Sequence, residues 1–112
     1  MILYTSQTAS LAMLEVLAGL ETDIVPLTYQ LLQIDVPDTL AIEELEKPIP
    51  TQRQSQDWSM TWLEKGASPL ARVPSFIVPI ERNILVNTDH PDAGKISIVA
   101  ASRHPWDLRL FR

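Results

Sequence analysis

RVPSFIVPIERNILVNTDHPDAGKISIVAA, residues 72–101, decides the fold. Residues 72–79 are rich in Val, Ile and Phe, residues 81–87 form a second short apolar run, and residues 95–101 a third. Runs of this length, bounded by Pro, Asp and Gly, read as strands. Pro74 and Pro79 have no N–H to give to a ladder, which confines the first run to an edge or its Pro residues to strand ends. The turn cluster His90-Pro91-Asp92-Ala93-Gly94 separates the last two runs. Parallel neighbours need a long crossover, and none fits between these runs, so the sheet should be largely antiparallel. Outward from this stretch, Ile2-Leu3-Tyr4, residues 27–36 and residues 107–111 read as further strands. Residues 7–20 read as a helix, with Thr5, Ser6 and Thr8 as hydroxyl caps and Gly19 near a left-handed C-cap. A second helix, capped by Ser55 or Asp57, runs to about Lys65 and stops at Gly66, after a surface loop over residues 48–56. The expectation is one α+β domain spanning residues 1–112, a largely antiparallel twisted sheet with a few helices.

Composition narrows the function. In 112 residues, 46% are hydrophobic and 21% charged, which describes a globular chain and not a disordered one. Fourteen acidic residues against nine basic ones give a net charge of −5, with no Lys/Arg cluster, so direct nucleic-acid binding is disfavoured. There is no Cys, which excludes thiol catalysis and disulfides and fits a reducing compartment. With His90 and His104 as the only histidines, no dedicated transition-metal site is expected. No apolar run reaches the roughly 18 to 20 residues of a membrane span, and the N-terminus lacks the basic region of a secretory signal. A cytoplasmic location is the expectation.

One residue resists a purely structural reading. The first helix carries Leu11, Ala12, Met13, Leu14, Val16, Leu17, Ala18 and Leu20, apolar on every side, and so should be buried all round. Glu15 stands in its middle. A carboxylate there must lie on a wet stripe, pair with a local Arg, or open onto a cleft where its charge serves a cationic or electron-poor substrate. Tyr4 precedes Glu15 by one strand-to-helix turn and can share its site, although a Tyr at a strand end more often only packs. Ser75 follows Pro74 with no nucleophile-elbow or triad spacing around it. The remaining candidates read structurally: Glu43, Glu44 and Glu46 as a solvated acidic patch, His90 and His104 as exposed turn residues, Trp58 and Trp62 as one packed helix face.

In this order the segments resemble the RES domain from about Leu3 to Phe111. The carriers are Tyr4-Thr5-Ser6, Leu14-Glu15-Val16-Leu17, Ile34-Asp35-Val36-Pro37, Arg72-Val73-Pro74-Ser75, Pro79-Ile80-Glu81-Arg82-Asn83, Asn87-Thr88-Asp89-His90-Pro91 and Pro105-Trp106-Asp107-Leu108-Arg109-Leu110-Phe111. The resemblance implies an ADP-ribosyltransferase-like fold and a bacterial toxin that depletes NAD+ by cleaving its nicotinamide–ribose bond, as a glycohydrolase or phosphorylase. It implies as partner an Xre-type helix-turn-helix antitoxin covering the active site, with NAD+ as substrate and no other cofactor. By motif, Glu15, Ser75 and Tyr4 are the expected catalytic set, and Tyr4, Ser6, Ser75 and Asn83 the expected NAD-binding set. The family's Arg, in a Gly-Gly-Arg-Trp-Asn-like segment ahead of the Tyr4 position, has no counterpart from Met1 onward, and the sequence reads as the C-terminal greater part of the domain. Two readings follow: an NAD-consuming enzyme, or an impaired remnant that still binds an antitoxin. Homo-oligomerisation through an exposed sheet edge is a further expectation.

Overall fold

The computed structural model describes residues 1–20 and 26–111. Six strands and two α-helices follow in the order β1 (Ile2–Ser6), α1 (Ala9–Gly19), β2 (Thr28–Asp35), β3 (Ile42–Glu44), α2 (Gln52–Lys65), β4 (Leu70–Pro74), β5 (Arg82–Asn87) and β6 (Ser97–Pro105). Strands β1, β5, β4 and β3 make one sheet in that order, and β2 with β6 makes a separate ribbon. Every pairing is antiparallel except β3 with β4. The crossover that parallel pairing demands is supplied by α2, which lies between those two strands in the chain. The α+β, mostly antiparallel expectation therefore holds, with one parallel exception at a strand the sequence did not announce.

Register explains the core. Residues directly opposite across neighbouring strands share a face, so Tyr4, Leu85 and Ala71 lie on one face, as do Ser6, Asn83 and Val73. That face carries a cluster of Trp62, Ala71 and Leu85, with Ile2, Trp58, Leu63 and Val73 packed around it. The opposite face carries Leu40, Leu70 and Val86, flanked by Val36, Ile42, Ile84 and Ile96. Each fully buried aliphatic side chain contributes about 2 kcal/mol. Trp58 and Trp62 are thus the packed helix face that their spacing predicts, and the Trp62 indole N–H donates to Ser68 Oγ at 3.1 Å.

Several boundaries move. α2 starts at Gln52, not beyond Ser55, because Thr51 Oγ1 accepts from the Gln54 N–H at 3.2 Å and caps the helix four residues before Ser55. At its other end Gly66 stops the helix as expected, and does so in the left-handed conformation, with φ +61°. Thr8 caps α1, but Gly19 does not take up a left-handed cap, since Gly66 is the one glycine among the described residues with positive φ. Residues 75–79 leave the first predicted strand and Glu81 leaves the second, all of them in the loop before Arg82, whereas Leu70 and Ala71 join β4; β4 is central and Pro74 ends it. The predicted strand at 107–111 is instead a short 3-10 turn over Leu108–Phe111, where the Asp107 carboxylate accepts from the Arg109 N–H. The chain over residues 91–95 likewise turns as a 3-10 helix, capped by His90 Nδ1 accepting from the Asp92 N–H.

The expectation that α1 is buried all round is overturned. Leu11 alone is fully buried, while Leu14 and Val16 are 43% and 52% exposed. The helix covers one side of the sheet edge and leaves its other side to solvent.

Candidate functional site

Three elements converge on one carboxylate. α1 brings Glu15 over the sheet face that carries Asn83 of β5, and the loop leaving β4 brings Ser75 beside it. Glu15 Oε1 accepts from Ser75 Oγ at 2.7 Å and from Asn83 Nδ2 at 2.7 Å. Asn83 in turn accepts at Oδ1 from Ser6 Oγ at 2.7 Å, which ties β1 into the same network and fixes the amide's orientation. Residues 60 to 77 positions apart in sequence are thereby joined into a relay running Ser6, Asn83, Glu15, Ser75.

Ser75 is the most constrained member. It is 2% exposed, and its Oγ also accepts from the backbone N–H groups of Ile77 and Val78, each at 3.1 Å. With both lone-pair directions occupied by backbone donors, the hydroxyl proton has one direction left, toward Glu15. Its main chain is held by a bond from Ser75 N–H to the Glu81 carbonyl at 3.0 Å. This loop geometry follows from Pro74, which ends the strand and turns the chain where the serine is needed.

The Glu15 carboxylate is partly buried and lines a cleft of about 290 Å³ between the sheet and α2. Tyr4, Gln52, Gln56, Phe76 and Asn83 line it too. Tyr4 is 69% exposed and lines the same cleft. Glu15, Ser75, Ser6 and Asn83 are directly connected, and Tyr4 shares the cleft wall. Sequence reasoning missed the contribution of α2: Gln52 and Gln56 are spaced one helical turn apart and so share a face, a signal that was available. It also missed Phe76, which is 56% exposed on the loop after Ser75.

Of the three ways to accommodate Glu15, the bonded and cleft-facing one is realised. No Lys or Arg among the described residues pairs with it. Arg72 pairs with Glu44 across the β3–β4 register, on the other face of the sheet, and Arg82 Nη1 donates to the Leu45 carbonyl at 2.8 Å. Both arginines that stood near a family motif are therefore committed elsewhere. Glu44 is correspondingly part of an ion pair on a strand and not simply a member of a solvated patch. His90 caps a turn, as its context suggested, and His104 is exposed on β6 with its ring 5.6 Å from that of Tyr29. No group of three or more His, Asp or Glu among the described residues could hold a metal ion, and no described helix is long and apolar enough to cross a membrane.

The RES domain family matches residues 1–110. Relatives include a protein named Prs ADP-ribosylating toxin from a Sphingobium species, 34% identical over 121 residues, covering 99% of this chain and 75% of the relative. A protein named Toxin Res from Pseudomonas putida is 34% identical over 116 residues, covering 98% of this chain and 79% of its own length. Another of that name, from Photorhabdus laumondii, is 36% identical over 118 residues, with 97% and 75% covered.

Proposed function

The chain belongs to the RES domain family of toxins, and from that premise we propose that it cleaves the nicotinamide–ribose bond of NAD+ at the Glu15 cleft, with an ADP-ribosyltransferase-like fold. The observation that carries this reading is a carboxylate held by two neutral donors, Ser75 Oγ and Asn83 Nδ2, facing a cleft walled by Tyr4. In the reaction, the bond from ribose C1′ to the nicotinamide nitrogen breaks and its electron pair leaves with the ring, which becomes neutral. The ribose passes through an oxocarbenium-like state, whose positive charge a fixed carboxylate stabilises and whose hydroxyl it can accept from. Tyr4 offers a ring face for the nicotinamide. Ser75 and Asn83 act as positioning residues that aim the carboxylate.

The nucleophile that completes the transfer decides the product: water gives ADP-ribose, phosphate gives its 1″-phosphate, and a protein side chain gives an ADP-ribosylated protein. A relative's name specifies the last of these outcomes for that relative. The antitoxin in this reading is an Xre-type helix-turn-helix protein that covers the cleft, and the NAD+ consumed is the cytoplasmic pool.

Purified protein incubated with NAD+ in water, with phosphate, and with bacterial lysate as protein acceptor should release nicotinamide in at least one arm, measured by chromatography. Glu15→Gln should lower that rate by about 10² to 10³, the range for removing one electrostatic stabiliser. No release in any arm at high protein concentration, or an unimpaired Glu15→Gln, removes the proposal.

A further inference from the structure

A second groove, about 550 Å³ in volume, runs between β1 and β2 with Ala9 and Ala12 of α1 as its floor. Its walls are residues 3–8 on one side and 30–34 on the other. A sheet face would contribute every second residue, because side chains alternate. Unbroken runs on both walls mean that the groove looks onto strand edges.

The hydrogen-bond phase says which backbone groups those edges offer. The Thr88 N–H donates to the Met1 carbonyl and the Gln7 N–H to the Arg82 carbonyl, so positions 1, 3, 5 and 7 face β5. Antiparallel ladders alternate, which turns the N–H and C=O of Ile2, Tyr4 and Ser6 away from β5, on the side where β1 has no neighbour among the described strands. Along the ribbon, the Trp106 N–H donates to the Leu27 carbonyl, so odd positions up to the bulge after Gln33 face β6. Thr28, Gln30 and Leu32 therefore turn their backbone groups outward. Two unpaired strand edges thus line one groove, and no charged side chain stands in either wall.

We propose that this groove is an acceptor slot for one extended polypeptide segment with uncharged side chains, which bonds to β1 and β2 at once and joins the two sheets. A bridging strand needs both of its edges free. Each of the six described strands already has a partner, so a second folded copy of this chain could pair with one wall but not bridge the two. The occupant is a segment not already committed to a sheet. The state of the ribbon fits the same conclusion: β6 is exposed along its whole length, with Ile98 at 63% and Val99 at 58%, and a two-stranded ribbon alone is marginally stable in water. Tyr4 lines both this groove and the Glu15 cleft, so the inserted strand also forms the wall beside the site. The inference stands independently of the reaction proposed above.

The test fuses the probe strand Thr-Val-Thr-Val-Thr-Val to Met1 through a flexible Gly/Ser linker of about ten residues, whose reach of roughly 17 Å matches the roughly 17 Å length of a five-residue strand. Amide hydrogen exchange is then read residue by residue. Amides of Tyr4, Ser6, Gln30 and Leu32 should slow by about tenfold or more, while those of Leu3 and Thr5 stay protected as in the unfused chain. A control fusion with Pro at every second position, unable to donate there, should show no slowing. Slowing in neither fusion, or at Tyr4 and Ser6 without Gln30 and Leu32, overturns the slot. So does concentration-dependent slowing at all four amides in the unfused chain, which would assign the groove to a second copy.

Discussion

Ser75→Ala tests the network at its most constrained point. The substitution removes a hydroxyl that donates to Glu15 Oε1 at 2.7 Å and accepts from two backbone N–H groups at 3.1 Å. Losing a hydrogen bond to a charged acceptor costs about 1.5 to 3 kcal/mol. The two orphaned donors add to this unequally, because Ile77 is 40% exposed and its amide can turn to water, leaving roughly another 1 kcal/mol for Val78. The sum is about 3 kcal/mol, which in a domain near 100 residues lowers Tm by roughly 10 to 20 °C. Glu15→Gln should cost less, since an amide carbonyl still accepts from both donors and only the charge assistance is lost. Combined in one chain, the two changes should be less destabilising than their sum by about 1 to 2 kcal/mol, the coupling expected of groups in direct contact. Thermal and urea denaturation of the four proteins measures this. If Ser75→Ala costs under about 1 kcal/mol and the two changes add, the serine does not hold the glutamate and the reasoning about the site fails.

Other consequences are open to direct measurement. Gly66→Ala should destabilise by about 1 kcal/mol, through backbone strain alone, because φ is +61° and nothing lies within 4 Å of the added carbon; Gly66→Asn should cost less, and equal urea midpoints for Ala and Gly would refute this. Asp107 should titrate below its ordinary value of 3.8, held down by the Arg109 side chain and then by the Arg109 backbone N–H. Any stability this gives is present above the ordinary value and lost as pH falls through the depressed one, and an NMR titration of Arg109→Gln should return the Asp107 carboxyl upward. If the proposed activity is found, KM for NAD+ should stay flat or fall as salt rises, because the described cleft wall holds an anion and no cation; a steep rise with salt would reveal a cationic clamp.

Strand positions were legible wherever turn chemistry bracketed an apolar run, as at residues 82–87 and 97–101. β3 was not, because Ile42-Glu43-Glu44 carries two charges in three residues and is held as a strand by its parallel register with β4 and by the Glu44–Arg72 pair, neither of them local. The end of β4 failed for a related reason: Phe76, Ile77 and Val78 have strand propensity, but Ser75 Oγ captures the N–H groups of Ile77 and Val78 and bends the chain away. In the site, a shared location for Tyr4 and Glu15 was legible from the strand-to-helix turn, whereas Ser75 joined Glu15 only through the family resemblance. Asn83 too came through the resemblance, but its bonds to Ser6 and Glu15 were not legible, since they depend on β1 and β5 being neighbours in the register that sets Ser6 opposite Asn83.

The misreading of α1 bears most on mechanism. Read as wholly buried, the helix left Glu15 needing a wet stripe, an arginine or an open cleft; half covered as it is, the helix lets two neutral donors and the cleft suffice. That difference has a chemical consequence. An arginine partner would cancel most of the carboxylate's field at short range, whereas a serine hydroxyl and an asparagine amide fix its position and leave its full negative charge directed into the cleft. Both donors converge on the same oxygen, Oε1, so the orientation of the group is set while Oε2 carries no hydrogen bond from any described residue. The rigidity comes from the sheet, through Ser6 and Asn83 on paired strands, and from a proline-turned loop, not from the exposed helix that bears the acid. In the reaction proposed above, a carboxylate aimed in this way would be preorganised for the positive centre that exists only in the transition state, the one at which its charge is worth most.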